Sequence, residues 1–294
     1  MIIDKIKNSY IIYTDNQVVH TREYYNYCVS LLKKWLNDID DDLNIIFGDY
    51  NFNFDNPNKI IKVDIQCEHT LVKNGGRSVT QKIYGNVKNG DDYYMVRIDN
   101  FNYINSLDMI IEYSLPNIVN IKSSGKFNEY LSKIFYIAPM LYEQNFGGVK
   151  TDIITLFDYN NNFRRSNVLN NLKNQQINNI VINNCFSSVC LLNAYSKTKI
   201  MVNVHQTDHH HTFEELRVLP ALLNGVIVVS EDVPLKETIP YYKYIIWCSY
   251  ENIAIKTLEV LNNYNYYFDK FFINSDLNII LDNLKLNNLK AFKI

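Results

Sequence analysis

The chain has 294 residues, 47% of them hydrophobic and 20% charged, and a formal charge of −2. That balance excludes a protein that grips a nucleic-acid backbone, which needs a basic excess or stripe, and no basic clusters interleave the 23 Tyr and 15 Phe as base stacking would require. The length exceeds what one hydrophobic core usually organises, so two domains are expected.

In the first half, residues 11–13 form a short strand candidate, and Thr21 is a plausible N-cap for a helix running to about Asp38. In that helix Tyr25, Cys28, Leu32, Trp35 and Leu36 recur at helical spacing and give one buried stripe. Residues 44–47 and 60–66 read as strands, the second alternating Ile61, Val63 and Ile65 against Lys62, Asp64 and Gln66. Residues 93–98, 108–113 and 134–137 complete a set of five or six strands. The pair Gly147-Gly148, after Pro139, marks the best domain junction.

The second half alternates more cleanly. Strands are predicted over residues 152–157, 179–182, 200–204, 226–229 and 244–247, and helices over 164–173, 188–195, 213–224 and 252–262. Short β-branched runs separated by helices imply βαβ units on a parallel sheet, with ligands bound beyond the carboxyl ends of the strands. Two further helices, about 267–272 and 277–291, finish the chain.

Cysteines at 28, 67, 185, 190 and 248 form no C-x-x-C pair and are odd in number, which argues against a disulfide framework or zinc ribbon and for a reducing compartment. Residues 1–16 mix Lys and Asp into their apolar residues, unlike a secretory signal, and no apolar run approaches the roughly 20 residues needed to span a bilayer. A cytoplasmic protein with no integral membrane segment is expected. The richness in Asn, Ile, Lys and Tyr points to an AT-rich genome, such as that of a large DNA virus or an AT-rich microbe.

The informative stretch runs from Met201 to Glu237. A buried strand delivers His205 to the carboxyl edge of the sheet. Thr212-Phe213-Glu214-Glu215 fits a capping box, with Thr212 as N-cap and Glu215 at N3, and Asn224-Gly225 fits a helix C-cap. The helix start would thus face the crevice where α/β sheets bind phosphates.

Here the sequence resembles the GT-B glycosyltransferases of group 1, the family-4-like enzymes that use nucleotide-sugar donors. Their helix ending Ala-x-x-x-Gly-x-Pro-Val-Val-x-Ser is matched by the run from Ala221 to Ser230, with Ile227 in place of the Pro and Ser230 one position early. The likeness extends over roughly 120 residues of the second half by element order. It implies two Rossmann-like domains facing across a cleft, an α/β fold, with residues 1–148 on the acceptor side, 149–275 binding the nucleotide sugar, and a C-terminal helix over 276–294. It also implies transfer of a sugar from a nucleotide-diphosphate donor to a hydroxyl of a glycan or protein acceptor, without a bound metal or cofactor. The positions of the family's spaced pair of glutamates hold Thr212 and Pro220, so Glu214, Glu215 and Arg217 are the candidate substitutes. Pro220 inside the helix costs about 3 kcal/mol and predicts a kink.

Donor-binding candidates are His205, Thr212, Glu214 and Arg217, with Arg164 and Arg165 after the first strand of the second domain, and Glu231 and Glu237 around the loop that follows a strand. Arginine suits bidentate phosphate contact and neutralises a departing diphosphate. The alternatives are a hydrogen-bonded histidine under the sheet edge and solvated surface ion pairs. Asp208 and His209 to His211 are metal ligands by type but lack fixed spacing. In the first half, Glu68 and His69 follow a clean strand and are candidate bases toward an acceptor hydroxyl, and Gly75, Gly76 and Arg77 form an acceptor-side turn. Asp99 and Asn117 are weaker candidates, and the Asp38-Ile39-Asp40 run reads as solvated surface. An epimerase on the same scaffold, or a non-catalytic sugar- or partner-binding protein, remains open beside the transferase reading.

Overall fold

The computed structural model of the chain describes residues 1–14, 18–67, 70–73, 83–89, 92–98, 101–125, 127–159, 163–209 and 211–292. A hairpin of β1 (Ile2–Ile6) and β2 (Ser9–Tyr13) leads into helix α1 (Arg22–Asp38), then β3 (Leu43–Phe47) and β4 (Lys59–Gln66). Between β4 and β8 (Met109–Glu112) lie β5 (Leu71–Lys73), β6 (Ile83–Asn89) and β7 (Asp92–Arg97), which pair antiparallel in a sheet of their own, and α2 (Phe101–Ser106). Helices α3 (Leu115–Ser123) and α4 (Asn128–Leu131) precede β9 (Ile134–Tyr136).

The first main sheet has the order β1-β2-β3-β4-β8-β9, antiparallel only at the β1–β2 hairpin. The predicted stripe of α1 is buried in full and packs on Ile45, Phe47, Val63 and Ile111. Ile110 points the other way, toward Ile104, Ile121 and Tyr130, as a strand covered on both faces requires. Thr21 does not cap α1. Its backbone is helical and its hydroxyl donates to Val18 O at 3.2 Å.

The second sheet is built from β10 (Asp152–Thr155), α5 (Phe163–Asn174), β11 (Asn179–Val181), α6 (Ser188–Lys197), β12 (Thr198–Asn203), α7 (Glu215–Leu223), β13 (Ile227–Glu231), β14 (Ile245–Cys248) and α8 (Ile253–Asn262). All its pairings are parallel, in the order β11-β10-β12-β13-β14. The chain steps from β10 to one side for β11 and then crosses back to β12, so the strand order reverses between β10 and β12. Strand β13 is buried at every residue, the pattern of a strand with helices on both faces.

The protein is therefore mixed α/β with two sheets of parallel strands. The first sheet departs from a Rossmann arrangement: its strands follow chain order with no reversal, and the segment joining β3 to β4 contains no helix. Helix α9 (Tyr264–Phe268), a π turn (Asp269–Ile273) and α10 (Leu277–Lys290) close the chain. Leu277, Leu281 and Leu284 join the second core, whereas Phe292 lies in the first beside Trp35, ring centroids 5.8 Å apart. Asn288 also clamps Ala138, accepting from its N–H at 2.9 Å and donating to its carbonyl at 2.7 Å. The last segment thus bridges both cores. Gly225 ends α7 with φ +64°, and a Cβ there would meet Phe146 Cα at 2.9 Å, so only glycine lets that connecting segment approach. Among the described residues no helix is long and apolar enough to cross a membrane.

Candidate anion site at the switch point of the second sheet

The reversal of strand order sets the loops after β10 and β12 side by side, the place where α/β sheets bind ligands. Four candidates from the sequence converge there: Arg164 and Arg165 on the first turn of α5, His205 just past β12, and Glu231 at the end of β13. The Arg164 guanidinium forms a bidentate ion pair with Glu231, an ion pair with Asp208, and a stack on the Tyr250 ring 4.0 Å from its centroid. Burial works against its charge, but Glu231 and Asp208 outweigh it and raise its pKa. With its donors engaged, Arg164 is a strut that holds the loop after β12.

His205 is buried, and its Nδ1 donates to Glu214 Oε1 at 3.1 Å. Burial alone would lower its pKa, yet Glu214, assisted by Glu231, raises it. Its Nε2 has no hydrogen-bond partner among the described residues. The other Glu214 oxygen accepts from Asn203 Nδ2 at 2.9 Å, which also reaches Ser230 Oγ at 3.0 Å. Asn203 escaped the sequence reading, although a polar residue inside the apolar run of β12 was the signal available. Tyr250 left none.

Arg165 reaches the Val204 carbonyl at 3.4 Å and lies 5.2 Å from the Phe157 ring centroid. Burial first, and then the charges of Arg217 and Arg164 against the help of Glu214, push its pKa down to about 10. Arg217, half-buried on α7, leaves a buried Nη1 without a partner among the described residues. Arg165 and Arg217 lie near each other beside Glu214 and Asp158, with a histidine inclined to protonate, so guanidiniums gather at this edge. Gathering like charges away from bulk water is unfavourable unless an anion offsets it.

Other expectations need correction. The capping box is not formed: α7 starts at Glu215, its N-cap is Glu214, and the Thr212 hydroxyl instead donates to Asn117 Oδ1 at 2.8 Å and accepts from the Leu71 N–H. Residues 212–215 are all buried, and two carboxylates sit at the positive end of the helix dipole. The start of α7 is therefore buried and carries no side-chain cap, so it does not open as an amide cradle for an anion. Glu237 lies exposed on a 3-10 turn (Lys236–Thr238), and among the described residues no hydrogen bond or ion pair joins it to the cluster. Glu68, His69, Gly75, Gly76, Arg77, Asp99 and His210 lie outside the described residues. His209 and His211 are described, and His211 Nε2 meets Asp208 O at 3.0 Å. Two of the five cysteines, Cys185 and Cys190, form a disulfide, contrary to expectation, because the turn before α6 brings their Cα atoms within 5.6 Å.

The first sheet has a polar edge of its own. Gln66, Glu112 and Tyr136 end β4, β8 and β9 and are register neighbours. Glu112 is fully buried and accepts from the Ser114 N–H at 3.0 Å and from Asn117 Nδ2 at 3.2 Å. Across from it Glu215, also fully buried, accepts from Tyr241 OH at 2.7 Å. Burial raises both carboxyls, Glu215 to about 8. Removal from water favours the protonated form of each. Of the weaker candidates, Asn117 is thus placed between Glu112 and Thr212.

No family model matches the chain. It is similar to Uncharacterized protein R358 of Acanthamoeba polyphaga mimivirus, 34% identical over 117 residues, which cover 38% of this chain and 41% of that protein. Similarity to Uncharacterized protein L140 of the same virus is 26% over 179 residues, 56% of this chain and 54% of the relative. The chain thus spans about half the length of these relatives, or less. Among solved structures it is similar to a chain of the Glycosylation Associate Protein (Gap123) complex from Streptococcus agalactiae, with a TM-score of 0.42 and 11% identity, covering 90% of this chain and 57% of that one. A likeness that loose carries no argument about fold or function.

Proposed function

We propose that the chain binds the diphosphate of a nucleotide sugar at the switch point of its second sheet and transfers the sugar to a hydroxyl acceptor. The observation that supports this reading is the gathering of Arg165 and Arg217 beside His205 at the sheet edge where such ligands sit. In that role Arg165 and Arg217 take the phosphate oxygens, and protonated His205 donates through Nε2. Charge that develops on the departing diphosphate is met by donors already in place. Arg164 and Glu231 position the loop and touch no substrate. The base toward the acceptor stays with Glu68 or His69. The group-1 resemblance supplies the reaction class.

A second reading, a non-catalytic binder of anionic sugar compounds, is favoured by the buried start of α7, where Glu214 and Glu215 stand in place of an open amide cradle.

Calorimetric titration with uridine and guanosine diphosphates, followed by a donor screen with mass-spectrometric product detection, separates the two. Binding that is lost in Arg165→Ala together with turnover of a donor supports the transferase. Binding without turnover of any donor supports the binder. No heat with either nucleotide at millimolar concentration removes both.

A further inference from the structure

The turn between β11 and α6 carries chemistry unrelated to the anion site. Cys185, buried just before the helix, is disulfide-bonded to Cys190, which is exposed at the third residue of α6. The Ser187 hydroxyl caps that helix by accepting from the Cys190 N–H at 3.3 Å. Cys28, Cys67 and Cys248 are not disulfide-bonded, and Cys28 is buried with its thiol pushed up by burial. The same turn reaches across to the first half. The Phe186 ring stands edge-on to His20 with centroids 4.6 Å apart, and the Ser188 N–H donates to Glu23 Oε1 at 3.1 Å on the first turn of α1.

We propose that Cys185 and Cys190 are a reversible thiol–disulfide exchange site whose oxidation state sets how firmly this turn holds the start of α1. The co-reactant is a dithiol, small or protein. One of its thiolates attacks the exposed Sγ of Cys190. The S–S electron pair leaves on Cys185 Sγ, which takes a proton. The second thiol of the co-reactant then resolves the mixed disulfide and releases Cys190. The dithiol ends as a disulfide, and the protein gains two electrons and two protons. The N-terminal turn of α6 stabilises Cys190 as a thiolate leaving group, which eases that last step. Opening the short loop returns conformational freedom to Phe186 and Ser188, so their contacts with His20 and Glu23 weaken.

The test uses the full chain purified without reductant and then incubated with glutathione disulfide. Alkylation in denaturant should label Cys28, Cys67 and Cys248 alone, and all five cysteines after dithiothreitol. Hydrogen exchange at the start of α1 should rise on reduction by roughly tenfold and return on reoxidation. Cys185→Ser with Cys190→Ser should exchange at the raised rate and ignore dithiothreitol. Glu23→Ala should raise exchange with the disulfide intact. Labelling of Cys185 and Cys190 before any reductant overturns the proposal, as does exchange at α1 that reduction leaves unchanged. If the double variant fails to fold, reduction of the wild-type chain gives the same reading.

Discussion

At the carboxyl edge of the second sheet β13 ends on Glu231, ion-paired to Arg164. At the edge of the first, β8 ends on Glu112, which among the described residues is held by neutral donors. The same side chain at the same kind of strand end is ion-paired in one place and pushed toward its protonated form in the other. The contrast repeats along α7 itself: Glu214 faces His205 and Asn203, while its neighbour Glu215 faces Tyr241 and is raised to about 8. Among the described residues, cations converge on one edge and not on the other. What a buried carboxylate does is decided by the partners that tertiary structure brings to it, because removal from water favours the neutral form unless an opposite charge or enough donors offset it.

The largest effect expected from breaking this contrast is at Glu231. Glu231→Ala leaves Arg164 half-buried without its main partner and should cost about 3–5 kcal/mol in urea unfolding, whereas Arg164→Met with Glu231→Leu recovers most of that loss. A loss below about 1 kcal/mol in the single variant would show the pair to be a surface contact. Next is Arg217→Ala. Removing a charge-assisted donor should weaken nucleoside-diphosphate binding roughly 10- to 100-fold in calorimetry while leaving the unliganded protein as stable as before. Unchanged affinity would take Arg217 out of the site.

The pH profile sharpens the comparison from the other side. Glu215 has a folded pKa near 8 against an ordinary 4.5, so its stabilising protonated form is fully present below 4.5 and is lost as pH rises through about 8. The wild type should therefore lose stability across that window, and Glu215→Gln should match it at acidic pH yet exceed it at pH 8 by an amount of the order of 4 kcal/mol. Parallel urea midpoints at pH 5 and pH 8 would show that Glu215 is ionised at neutral pH. The smallest change belongs to Glu112→Gln. An amide closely replaces a protonated carboxyl, so thermal unfolding near pH 4, where the unfolded chain is protonated as well, should register less than about 1 kcal/mol, far below the effect of Glu231→Ala.

Much of the second sheet was legible in the chain, since β10 to β14 alternate with helices at the expected places and every element lies within a few residues of its prediction. The first half was harder. Strand β7 falls on the predicted 93–98, but the edge strand β1 and strands β5 and β6 have no apolar alternation strong enough to stand out, and sheet order there follows pairings between distant segments. Within the site, residue types picked out His205, Arg164, Arg165, Glu214, Arg217 and Glu231 as candidates, and the structure brings these six near one another. They misjudged Thr212, because a Ser or Thr before a helix reads as a cap until a closer acceptor such as Asn117 is known.

By itself the sequence determined the local geometry: the stripe that buries α1, the unbroken apolar run of β13, the glycine that ends α7. These follow from side-chain periodicity and backbone sterics, which act between near neighbours in the chain. Only the tertiary structure decided which charges meet. Arg164 and Glu231 are 67 residues apart, and Thr212 and Asn117 are 95 apart. Burial and electrostatic pairing depend on distances in space that strand order sets, and no local pattern encodes that order.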